Sequence, residues 1–179
     1  MGCADADEAV SNLIESVVRE ALPLLRYRVC WREAELNCSD RSLTFASVTV
    51  ESRDLIRNLQ GCKRVLLFAA TVGLELDRLI AKYSRTLPSR ALALQAFGAE
   101  RVESLCDAFL TEQKLICEKE GLLMRPRFSP GYGDLPLAVQ KELFRLLDCP
   151  KKIGLSLNES LLMSPTKSVT AVVGLYDAK

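Results

Sequence analysis

The sequence predicts an α+β fold: a single compact domain in which long helices flank a mostly antiparallel sheet. Three observations predict it. Residues 8–25 and 88–118 carry apolar side chains at helical spacing. Runs within 27–50, 153–157 and 169–173 alternate as strands do. Arg64-Val65-Leu66-Leu67-Phe68-Ala69-Ala70 is a continuous apolar run of the kind a buried strand makes. The 179 residues suit one domain spanning 1–179, with a helix-and-strand part to about 120 and a signature part from about 121.

In order, Val10, Leu13, Ile14, Val17, Val18, Ala21 and Leu22 mark the first helix, and Pro23 falls near its end. Tyr27, Val29 and Trp31 alternate on one side of an extended segment. Leu43, Phe45, Val48 and Val50 follow a turn around Cys38-Ser39-Asp40. Ser52 is placed to cap a short helix to about Leu59, which Gly61 would end. After the apolar run, Thr71-Val72-Gly73 turns the chain into a helix through about Tyr83. A strand turning into a helix N-terminus suits an anion, but a plain helix cap explains the same residues. The longest helix starts at Pro88 or Ser89, and Leu94, Phe97, Val102, Leu105, Phe109 and Ile116 form its expected core stripe. On its flank Glu100, Glu103 and Asp107 line up, either solvated or facing a cationic group. Pro136 opens a further helix to about Leu147, with Leu137, Leu143, Leu146 and Leu147 facing a core. Ile153, Leu155 and Leu157, then Val169, Ala171 and Val173, read as strands.

Composition removes several function classes. Twenty-four basic and 23 acidic residues leave a net charge of +1, and no basic tract is interleaved with aromatics, so nucleic acid is not an expected partner. The longest apolar run, Val65 to Leu74, is too short to cross a bilayer, so no membrane association is expected. Met1-Gly2-Cys3 is set aside as a lipidation start because Ala6 stands where Ser or Thr is wanted. Seven cysteines, with no C-x-x-C pair and no secretory leader, read as free thiols of a cytoplasmic protein filling a core rather than as a metal site. The chain has no histidine, which excludes a Ser-His or Cys-His nucleophile within it.

The densest stretch is Arg127-Phe128-Ser129-Pro130-Gly131-Tyr132-Gly133-Asp134-Leu135-Pro136. Pro-Gly favours a tight turn, and a glycine backbone lets a ligand approach closely. Arg127 offers a planar fork of donors for a carboxylate or phosphate, and Tyr132 a flat ring with a polar tip. A ligand seat and an ordinary surface loop both fit these residues.

The ordered residues carry a resemblance. Arg127-Phe128-Ser129-Pro130-Gly131-Tyr132 matches R-x-x-x-G-Y. A helix ending Leu-Leu-Asp, then Ile153-Gly154-Leu155-Ser156-Leu157-Asn158-Glu159-Ser160, then Met163, Pro165 and Ser168-Val169-Thr170 follow in order. Over about 125–171 the chain resembles the activation domain of cobalamin-dependent methionine synthase. Phe68-Ala69-Ala70-Thr71-Val72-Gly73-Leu74-Glu75 is similar to the matching segment of short, stand-alone relatives. The resemblance implies an activation-domain-like fold that binds S-adenosylmethionine and presents its methyl group to reduced cobalamin. The cobalamin would belong to a partner methionine synthase chain, with flavodoxin or another low-potential donor supplying one electron. The chain would then be one component of a cytoplasmic methyltransferase, incomplete alone. Arg127 would grip the ligand carboxylate, Ser129 and Gly131 would meet the ligand through their backbone, and Tyr132 would face the corrin. Glu103 is the expected acid for the ammonium group, though a neighbouring register puts Ser104 there. Glu159 and Ser160 belong to the N-E-S signature, as fold-ordering or ligand-touching residues. Asn158 and Ser164 depart from the family pattern, and Tyr176 does not match the family's adenine-side aromatic in register. Two alternatives stay open: a docking or chaperone-like module for a corrinoid protein that binds no S-adenosylmethionine, and a reactivation factor for another corrinoid methyltransferase.

Overall fold

The computed structural model describes residues 8–178; Met1-Gly2-Cys3 and Lys179 lie outside the described residues. Its sheet has six strands in the order β3-β2-β1-β4-β8-β5, every neighbouring pair antiparallel. The strands are β1 (Arg28–Cys38), β2 (Leu43–Phe45), β3 (Val48–Val50), β4 (Arg64–Thr71), β5 (Leu122–Met124) and β8 (Ser168–Asp177). A small hairpin of β6 (Ser156–Leu157) and β7 (Met163–Ser164) stands apart.

Strand β4 is the axis because seven of its eight residues are buried. Alternate side chains of a strand point to opposite faces. Val65, Leu67 and Ala69 therefore join the core beneath α2 (Arg53–Asn58), α5 (Val139–Leu147) and α6 (Cys149–Ile153). Leu66, Phe68 and Ala70 join the opposite core, covered by α4 (Pro88–Lys119), where Phe68 and Phe109 rings lie 5.1 Å apart. A third cluster holds α1 (Glu8–Ala21) and α3 (Glu75–Ser84) against the N-terminal half of α4. The sheet thus lies between two helical layers.

Several expectations change. The buried stripe of α4 is Ala91, Leu94, Gly98, Val102, Cys106, Phe109, Gln113 and Cys117; Ile116 is exposed. Its spacing of three and four is helical, but small and sulfur side chains occupy positions where larger apolar residues attract notice. On β1 the buried residues are Cys30 and Leu36, while Tyr27 and Trp31 are exposed. The first helix stops at Ala21, and a 3-10 turn with Pro23 follows at Leu22–Leu24. Helix α5 starts at Val139 rather than Pro136, after turns in which Val139 and Gln140 donate to the carbonyls of Pro136 and Leu137, and Leu137 is exposed. Ile153 ends the helix α6 instead of starting a strand, because Pro150 sits at that helix's first turn. Strand β5 has no counterpart in the sequence reading. The Ser52 cap is present: its hydroxyl accepts from the Leu55 N–H at 3.1 Å. Of the seven cysteines six lie in the described part, all unpaired by disulfides and all but Cys38 buried. No helix among the described residues is long and apolar enough to cross a membrane.

Candidate functional site

The cleft begins with a shortage of strand. β5 pairs only with the last residues of β8, Leu175 to Asp177, so the outer edge of β8 would lie bare from there on. The chain covers part of it after a bulge. Met124 pairs with Leu175 and Phe128 with Val172, so four steps on one strand span three on the other. Such an extra residue bends a strand and re-aims its side chains. Here Phe128 exchanges both backbone hydrogen bonds with Val172 at 2.8 Å and packs on the α5 side, which leaves Arg127 pointing to α4. Beyond Phe128 the edge at Ser168–Thr170 stays open. By the two-residue period of a strand, the N–H and C=O of Thr170 point as those of Val172 do, into that opening.

A cleft of about 520 Å³ occupies the opening, within the usual range for small-molecule sites. It draws on both layers. Glu103 comes from α4, Arg127, Phe128, Ser129, Pro130 and Tyr132 from the loop, Gln140 from α5, and Ser168, Val169 and Thr170 from β8. Arg127 Nη2 and the Glu103 carboxylate form an ion pair. Arg127 Nη1 is buried and no hydrogen bond of ordinary geometry reaches it, although the Cys106 thiol, a weak acceptor, interacts with the same guanidinium. An unpaired buried donor is costly, so such a group marks a place where a ligand acceptor would be welcome. Burial works against the charge of Arg127, but the Glu103 hydrogen bond and the neighbouring acids more than offset it and hold the guanidinium above its ordinary pKa. Burial pushes the adjacent Cys106 thiol up to about 11, so it is a neutral core residue behind Arg127.

The loop is held open by its own chemistry. Gly131 has φ 90° and Gly133 φ 52°, and a Cβ on Gly133 would run into the Asp54 carboxylate. Gly131 N–H donates to the Leu135 carbonyl at 2.9 Å and Tyr132 N–H to the Ser129 carbonyl at 3.2 Å, closing the turn. Asp134 fastens it to α2: its carboxylate accepts from the Ser52 hydroxyl at 2.5 Å and from the Arg53 and Asp54 N–H groups at 2.8 and 3.2 Å. The Ser52 hydrogen bond, helped by those backbone donors, holds the Asp134 carboxyl below the ordinary aspartate range.

Of the residues singled out from sequence, Glu103, Arg127, Ser129 and Tyr132 meet in the cleft, and Tyr132 is 68% exposed at its mouth. Glu103 rather than Ser104 faces Arg127; the Ser104 hydroxyl donates to Glu100 at 2.6 Å. Gly131 shapes the turn without lining the cleft. Glu159 and Ser160 lie exposed in the β6–β7 turn, outside the lining. Tyr176 is half-buried on the sheet beneath Arg125, whose guanidinium lies 4.4 Å from its ring centre. Thr71 is buried, accepting from Ser168 at 2.8 Å and from the Gly73 N–H at 3.2 Å, which is the plain turn reading. Sequence reasoning missed Gln140, Ser168 and Thr170 as lining residues and Asp134 as the fastening. Polar residues of this kind carry no pattern until the fold brings their partners to them.

Comparison with known proteins bears on the family and the fold. A family model described as the activation domain of vitamin B12 dependent methionine synthase matches residues 49–178. The fold is similar to a crystal structure of the MetH reactivation domain bound to AdoHcy. The two share 19% identity with a TM-score of 0.55, over 94% of this chain and 67% of that one. No curated protein matches the chain.

Proposed function

This chain belongs to the family of the vitamin B12 dependent methionine synthase activation domain, and from that premise we propose that it binds S-adenosylmethionine between Arg127 and Glu103. It would present the methyl group to cobalamin carried by a partner methionine synthase chain. The observation that carries the reading is the buried Arg127 Nη1, which no hydrogen bond of ordinary geometry reaches, on a cleft also lined by the Glu103 carboxylate beside it. An amino-acid zwitterion has the matching charges. Its carboxylate takes the Arg127 fork and its ammonium group takes Glu103, so the ligand slides into an existing ion pair. The Pro130–Gly133 turn keeps Tyr132 at the mouth, where a corrin face would meet it. The partner's cobalamin would supply a nucleophile for the methyl carbon, with one electron from a flavodoxin or other low-potential donor, and S-adenosylhomocysteine would be released. This chain's contribution is positioning, holding the methyl carbon in line and excluding water. It carries no histidine, so any histidine ligand to the metal comes from elsewhere.

Calorimetry with S-adenosylmethionine, with and without the cobalamin protein, tests this. Binding by the wild type and its loss in Arg127→Ala are expected; no binding in any combination overturns it. The Arg127–Glu103 pair favours one rival, a docking module for a corrinoid protein whose seat is closed by its own side chains. That rival predicts tight association with the corrinoid protein that Arg127→Ala leaves unchanged. Reactivation assays against a second corrinoid methyltransferase would decide the client.

A further inference from the structure

Gln140 is 4% exposed, lines the cleft, and has no role in holding the amino-acid end of a ligand. Its carboxamide has a fixed sense. Nε2 donates to the Leu161 carbonyl at 3.0 Å, and a carbonyl only accepts, so the nitrogen must stand at that end. The oxygen is thereby turned toward β8, where the Thr170 hydroxyl lies 3.5 Å away. That is longer than a firm O–H···O bond. A nearly buried acceptor with a loose partner therefore faces the cleft beside a hydroxyl that is 2% exposed as part of its residue.

We propose that Gln140 is a specificity-determining residue: its Oε1, with the Thr170 hydroxyl beside it, receives a hydrogen-bond donor from the nucleoside half of the ligand. This rests on the reading of the cleft as an S-adenosylmethionine site. Arg127 and Glu103 take the amino-acid half at the α4 wall, and Gln140 takes a donor at the α5 wall. The donor is the exocyclic amine of the base or a ribose hydroxyl. A wall built to accept a hydrogen bond discriminates strongly against an analogue that lacks the donor, because its own polar group is then left unpaired. The Leu161 contact gives the arrangement its rigidity, since Leu161 sits at φ 62° in the turn that joins β6 to β7, closed by the Leu161 and Leu162 N–H bonds to Asn158.

The experiment is calorimetric titration with S-adenosylhomocysteine, its 6-oxo analogue and its 2′-deoxy and 3′-deoxy analogues, in the presence of the cobalamin protein. The wild type should bind one of these analogues at least about tenfold more weakly than S-adenosylhomocysteine. Gln140→Met, which conserves volume and removes both polar atoms, should bind S-adenosylhomocysteine about tenfold more weakly and lose that discrimination. Thr170→Val, which leaves the Gln140 carboxamide and its bond to the Leu161 carbonyl in place, should retain the preference for the donor-bearing ligand, which serves as the control should Gln140→Met fail to fold. Discrimination that survives in Gln140→Met, or is absent from the wild type or lost in Thr170→Val, overturns the assignment. A wild type that binds no ligand at all defeats the S-adenosylmethionine reading itself, which separates the two failures.

Discussion

Helix α4 is tied to the rest of the molecule twice, each time by an arginine and a glutamate, and the two ties differ. Near its start Arg90 meets Glu20 of α1. Arg90 also donates to the Ser16 hydroxyl at 2.8 Å and the Ser16 carbonyl at 3.3 Å, and the Tyr83 hydroxyl donates to Glu20 at 2.8 Å. The guanidinium lies 5.1 Å from the centre of the Tyr83 ring. Near its middle Arg127 meets Glu103, and no hydrogen bond of ordinary geometry reaches one buried guanidinium nitrogen. The same chemistry therefore serves two ends. Where the donors find partners the pair is a fastening between helices; where a donor is left unmatched beside a cleft the pair has hydrogen-bonding capacity to spare, as the proposed seat requires.

Four substitutions and one change of condition would break or sharpen that contrast. Arg127→Ala should weaken S-adenosylmethionine binding about a hundredfold, since a hydrogen bond between charged groups contributes about 1.5–3 kcal/mol. Its denaturation midpoint should shift by no more than about 0.5 kcal/mol, because Glu103 is left half-exposed to water. A large loss of stability instead would make Arg127 a second Arg90. Arg90→Ala should do the reverse, lowering stability by about 1–2 kcal/mol in urea titrations while affinity stays unchanged, since its partners are only partly exposed. The two tyrosines give a finer comparison. Tyr83→Phe should cost about 1 kcal/mol for the lost bond to Glu20. Tyr132→Phe, at an exposed position, should leave stability within about 0.5 kcal/mol, and any effect should appear in methyl transfer with the partner.

The smallest effect is acid dependence. The Arg90 hydrogen bond lowers the Glu20 pKa from 4.5, with burial opposing it. A carboxyl depressed by folding stabilises the native state above its unfolded pKa, and that contribution is lost as pH falls through the folded value. Comparing urea midpoints of wild type and Glu20→Gln from pH 6 downward should show the gap closing below about pH 4.5. A gap that stays constant would mean that the pair contributes through shape rather than charge.

Much of the scaffold is written in local pattern. The apolar run of β4, the caps at Ser52 and the period of α4 need no distant information. The misreadings have a physical reason as well. Leu122–Met124 is too short to show alternation, and Ile153 fits a two-residue period that the proline-started turn of α6 overrides. Ile116 meets solvent because the buried stripe of α4 runs through Gln113 and Cys117 and so passes beside it, and Leu137 because it lies in the lead-in turn before α5. At the cleft, Arg127 and Tyr132 stand out by composition and by likeness to a family. Gln140 and Asp134 do not: their partners, Leu161 and Ser52, are distant in sequence and adjacent only after folding.

The Asp134 fastening also bears on protein engineering. The turn that carries Tyr132 takes its shape from an anchor 82 residues away. A transplant of residues 125–136 into a foreign sheet would thus arrive without its mooring, and its glycines would let it wander. Moving Ser52 and the first turn of α2 along with it supplies the missing half, so the smallest portable unit of this turn comes in two pieces.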